Sequence, residues 1–170
     1  MVRVLVAQRV VLPAAKGVMK AAIERFYRLL IQAASSLQSP FLLAVRLYWG
    51  WQFARTGWGK LGNLDHVTYF FTSLGIPAPG LMAPCIATLE FAGGILLALG
   101  LGSRAIALLL TGDMLVAYLL ADREALFSIF SDPGKFSGAA PYTHLFAALL
   151  VLIFGPGKFS LDAVFAKRMG

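Results

Sequence analysis

One cysteine, two histidines and eight acidic residues leave this 170-residue chain little material for most kinds of catalysis. Its single thiol, Cys85, makes neither an internal disulfide nor a Cys-x-x-Cys pair, which excludes thiol relay chemistry within the chain. Cys85 follows Pro84 inside an apolar run and reads as packing. His66 and His144 lie in different segments, and no histidine–carboxylate spacing recurs on one helix, so neither a metal nor a haem is expected. The sequence holds no phosphate-cradling glycine loop and no nucleophile elbow. Charged residues make up 14% of it, and the basic ones form no stripe interleaved with exposed aromatics. The net charge of +7 is therefore not read as a nucleic-acid surface.

Apolar surface is what the chain has in excess. It is 59% hydrophobic, with a mean hydropathy of +0.76, more than a soluble domain of this size can hide. An all-α integral membrane protein follows. The run Leu81 to Leu101 is long enough to span the hydrocarbon core and carries Glu90 near its middle. On a helix, Ala83, Ala87, Glu90, Gly94 and Leu97 share one face, small apart from the acid, so neighbouring helices can approach closely. A carboxylate near the midplane needs a partner, a proton or water. Glu90 is then either half of an ion pair locking the bundle or a group lining a site for a polar or redox ligand.

Three further spans are expected: Phe41 to Trp58 after Pro40, Ala105 to about Ala121 with Asp113 central, and Pro141 to about Phe154 with His144 near its start. The last is short for a full crossing. Between the first two spans, Asn63 to Leu74 reads as an amphipathic helix lying in the interface. A mixed loop follows from Asp122 to Ala140, and Ser160 to Arg168 forms a short amphipathic tail. Residues 1 to 40 differ in kind, with six basic residues against Glu24. The spacing predicts a helix from Ala14 to Gln38, resting on the anionic cytoplasmic leaflet or docking a partner subunit. The expected organisation is an arm, 1–40, followed by a four-transmembrane-helix bundle, 41–170. Ten basic residues lie in the termini and the Arg104 turn and three in the long loops, Lys60, Arg123 and Lys135, which places both termini in the cytoplasm.

Within the first span, Arg46 lies on a face with Gly50, Phe53, Gly57 and Lys60. Arg55, nine positions on, faces the opposite side, so the two arginines cannot serve one site. Reading on, Arg46-x3-Gly50-x2-Phe53-x3-Gly57-x2-Lys60-Leu61 is followed by Leu74-Gly75-Ile76-Pro77-x-Pro79. Then come Glu90-x2-Gly93-Gly94-x2-Leu97-x2-Gly100-Leu101-x2-Arg104 and Gly155-Pro156-Gly157-x2-Ser160-Leu161-Asp162. Over roughly residues 41 to 165 this resembles the DoxX family of small four-helix membrane proteins. The resemblance implies a bundle in a bacterial-type inner membrane, with some relatives linked to thiosulfate:quinone oxidoreduction and others to oxidoreductase complexes under oxidative stress.

A quinone site needs an apolar slot, polar groups for the ring oxygens and a proton path. Glu90, Arg46, Arg55, Asp113 and His144 are the polar candidates, with Trp49, Phe53 and Trp58 as ring-stacking walls. Glu90, Arg46 and His144 are assigned the chemistry, and Trp49, Phe53, Arg55 and Asp113 the binding, with an arginine as the expected partner of Glu90. His144 also reads as a neutral ring bonded to a backbone carbonyl. The expected function is a membrane component of a quinone-linked oxidoreductase, working with other complex subunits. A non-catalytic anchoring subunit and a carrier of a small amphiphile are the alternatives.

Overall fold

The computed structural model describes residues 8–169, and these form helices joined by short turns, with no strand among them. They divide into two compact units, one ending at Gln38 and one beginning at Ser39. Helix α1, Gln8–Leu61, runs continuously through both. A break at Pro40 is thus not observed. Proline removes one backbone donor from a helix but does not forbid it, and Leu37, Gln38, Leu42 and Leu43 nearby are good helix formers. In the first unit every side chain from Met19 to Gln38 is exposed. Met19, Ile23, Phe26, Leu30 and Leu37 recur at helical spacing as one apolar stripe, with Lys20, Glu24 and Arg28 on the other side.

In the second unit, the end of α1 packs with α3 (Pro79–Leu99), α4 (Ser103–Leu120) and α7 (Ala140–Phe154) around one apolar core. Phe53, Leu97, Ala107, Leu110, Ala148 and Val151 are its fully buried members. Helices α3 and α4 are long and apolar enough to cross a bilayer, and α7 is apolar but only 15 residues long. Short α2 (Leu64–Ser73) packs on α3 through Val67, Phe71 and Ala83. Helices α5 (Arg123–Phe127) and α6 (Pro133–Gly138) close the α4–α7 connection. The Tyr118 hydroxyl holds α6 by donating to the Phe136 carbonyl at 2.7 Å.

Glycine sets how α1 meets α3. A Cβ on Gly94 would lie 2.5 Å from the Ala54 nitrogen, and one on Gly57 would lie 2.7 Å from the Ala87 carbonyl oxygen. The two backbones touch, as small residues allow where no water is available to drive association. This contact aligns the last turn of α1, with Lys60, alongside Glu90 in the middle of α3.

Candidate functional site

Lys60, not an arginine, is the partner of Glu90. Its Nζ lies 2.6 Å from Glu90 Oε1, and Glu90 is 2% exposed against 34% for the Lys60 side chain. From the last turn of α1 the lysine stem lies along the helix and carries its ammonium to the buried carboxylate. Lys60 continues the buried stripe of Arg46, Gly50, Phe53 and Gly57, which is the signal that marks it; loop membership had assigned it elsewhere.

Asp113 of α4 completes the group. Its carboxyl is near enough to that of Glu90 for a hydrogen bond when one of them carries a proton. Glu90 Oε2 and Asp113 Oδ2 are both buried without a partner. Two carboxyls against one ammonium leave the group short of one positive charge or one proton.

These side chains form the polar end of a cleft of about 740 Å³ between α2, α3 and α4. Phe70, Phe71, Ile76, Met82, Ile86 and Met114 give it apolar walls, His66 stands exposed on its lining, and Gly112 leaves part of one wall bare. Leu108, Leu109 and Val116 line it too and are themselves half exposed, so the cleft opens on the outer surface of α4.

Several expected members lie elsewhere. Arg46 is fully buried, but its Nη2 donates to the Phe159 carbonyl, and it sits about 21 Å along α1 from Lys60 at 1.5 Å per residue. There it fills the space that Gly100 leaves open, a position where φ is +73° and a side chain would strike the guanidinium. Asp162 caps α4 beside it, accepting from the Gly102 and Ser103 N–H groups at 2.8 and 2.9 Å. Burial alone would raise the Asp162 pKa, but these donors and Arg46 outweigh it and hold the group below its ordinary value. Arg46 and Asp162 thus tie the α3–α4 turn to the C-terminal segment and touch no part of the cleft.

Arg55 is exposed on the outer face of α1 and does not line the cleft. The Trp49 and Phe53 rings pack against His144, with centroids 5.2 and 4.9 Å away, and do not line this cleft. Trp58 is exposed and packs on Phe91. The His144 Nδ1 lies 3.3 Å from the Ala140 carbonyl, and Nε2 is buried without a hydrogen-bond partner. The cleft's own rings, Phe70 and Phe71, come from α2, the segment that the sequence pattern reads as an interfacial helix.

The DoxX family profile matches residues 41–123, the stretch holding Lys60, Glu90 and Asp113. The chain is 33% identical over 141 residues to the uncharacterized membrane protein Rv3486 of Mycobacterium tuberculosis, covering 76% of this chain and 83% of that one. The chain belongs to the DoxX family. A second relative is the inner membrane protein YqjF of Escherichia coli, 29% identical over 136 residues, covering 78% of the DoxX chain and 97% of YqjF. No solved structure matches the chain. The DoxX chain is accordingly an integral membrane protein.

Proposed function

We propose that this DoxX protein binds a quinone in the α2–α3–α4 cleft as the membrane component of a quinone-linked oxidoreductase. The observation that carries the reading is the pair of orphaned, buried carboxyl oxygens, Glu90 Oε2 and Asp113 Oδ2, at the closed end of an apolar cleft. A buried polar atom without a partner is costly, and one beside an open apolar slot is suited to a ligand with a polar head and an apolar body. The quinone, when bound, supplies a two-electron, two-proton couple. Glu90 and Asp113 would hold the headgroup, and Phe70, Phe71, Met82 and Ile86 the ring and tail. Lys60 keeps Glu90 in place and balances its charge. The exposed His66 and the part-exposed Lys60 connect the carboxyls to water, so protons reach the site from the end carrying α2. A partner subunit supplies or takes the electrons.

In this reading α1 from Ser39, α3, α4 and α7 all cross an inner membrane, with both termini cytoplasmic. Gentle purification followed by extraction tests it. Wild-type protein should carry a quinone, and a Glu90→Gln/Lys60→Met double variant of near-wild-type melting temperature should carry little. An unchanged yield from that folded variant would sink the reading.

The exposed apolar stripe of the arm, Met19, Ile23, Phe26, Leu30 and Leu37, favours a second reading as an anchoring subunit. Deleting residues 1–38 would then release a co-purifying chain and leave the quinone in place.

A further inference from the structure

Hydrogen-bond polarity at the end of the cleft gives the site a redox preference. From the unpaired polar atoms there we propose that it is built for a hydrogen-bond-donating headgroup, so that it holds the reduced, hydroxyl-bearing hydroquinone more tightly than the oxidised quinone. This rests on the quinone reading above and adds to it which form of the couple the residues complement.

Among the described residues, the polar side chains lining the cleft are Lys60, His66, Glu90 and Asp113. Lys60, the strong donor, gives one of its three N–H groups to Glu90 Oε1 at 2.6 Å, and with its side chain 34% exposed the other two are open to water. His66 is exposed on the lining. What remains at the buried end is Glu90 Oε2 and Asp113 Oδ2, and both belong to acceptors. A proton shared between the two carboxyls would pair these oxygens with each other, so the demand for a donor belongs to the ionised pair, where a ligand hydroxyl takes the place of that proton. A quinone brings two carbonyl oxygens, which accept and do not donate, so it sets acceptor against acceptor and leaves the carboxyls unsatisfied. A hydroquinone brings two O–H donors and meets that demand. Leaving a buried polar group unpaired on one ligand and paired on another is how a polar site discriminates.

A site that binds the reduced form more tightly raises the potential of the bound couple, so the quinone held there is a stronger electron acceptor than in free lipid. The carboxyls do this by binding alone.

The test measures affinities for three probes on full-length protein in nanodiscs of phosphatidylethanolamine and phosphatidylglycerol. The probes are a decyl-substituted benzohydroquinone kept reduced, its benzoquinone and its dimethyl ether. The hydroquinone should bind at least tenfold more tightly than either of the others, since the ether keeps the shape and loses the donors. In Asp113→Asn, which replaces an acceptor oxygen with an amide donor, the ratio should fall toward one. The ether comparison needs no variant and so decides even if Asp113→Asn does not fold. Equal or tighter binding of the benzoquinone or of the ether overturns the donor preference while leaving the quinone reading in place. Binding of none of the three overturns both.

Discussion

At Glu90 one oxygen is paired and the other is free, and a substitution acts on the two differently. Glu90→Gln removes the carboxylate bonded to the Lys60 ammonium and leaves Asp113 as its nearby counter-charge. A fully buried broken pair costs about 3–5 kcal/mol; because Lys60 is a third exposed and can turn toward water, about 1–3 kcal/mol is expected here. Adding Lys60→Met should recover most of the lost melting temperature while quinone binding stays absent. Restored binding in the stable double variant would reduce the pair to a structural clamp. Asp162 gives a pH signature at the other end of the bundle. Its folded pKa is depressed, so it stabilises the protein above its ordinary value of 3.8, and that contribution is lost as pH falls through the lower folded value. The melting-temperature gap between wild type and Asp162→Asn should therefore stay constant above about pH 5 and narrow at lower pH. A gap that widens on acidification would contradict the cap.

Among the elements, the α1–α3 contact decides whether Lys60 reaches Glu90. Gly57→Ala pushes a methyl group into the backbone of α3 at Ala87 and Phe91, so the helices must separate. Thermal stability and quinone affinity should fall together. Gly59→Ala, two residues on with open space around it, is the control: it should be neutral or stabilising by up to about 1 kcal/mol, since alanine is the better helix former. Equal effects of the two would show that helix propensity, not contact, governs the segment. The stripe Arg46, Gly50, Phe53, Gly57, Lys60 and the face Ala83, Ala87, Glu90, Gly94, Leu97 were both legible in the sequence, because helical periodicity places such residues together wherever the partner helix lies. Which residue of one face meets which of the other was not legible. Arg46 and Lys60 share a stripe, yet only Lys60 lies level with Glu90, and that register is fixed by backbone contact at Gly57 and Gly94. Asp113 likewise reads as an isolated acid in α4 until α3 and α4 pack and set it beside Glu90. The continuity of α1 through Pro40 was also beyond the sequence, since proline lowers helix stability without dictating a break.

For the whole molecule, the proposed topology puts the cleft in the outer half of the membrane and the Arg46–Asp162 end near the cytoplasm. A cysteine placed at exposed Lys135, between α5 and α7, should react with an impermeant thiol reagent added outside intact cells, and labelling only after lysis would invert the orientation. The location of the ligand site is open to an equally direct measurement, photolabelling with an azidoquinone in nanodiscs followed by mass spectrometry of the cross-linked peptides. Adducts are expected on cleft residues such as Phe70, Met82, Ile86 and Met114, and these should disappear in Gly112→Leu, whose side chain enters the cleft. Labelling confined to Trp49, Arg55 or Trp58, or labelling of the cleft that survives Gly112→Leu, would contradict a quinone held at Glu90 and Asp113.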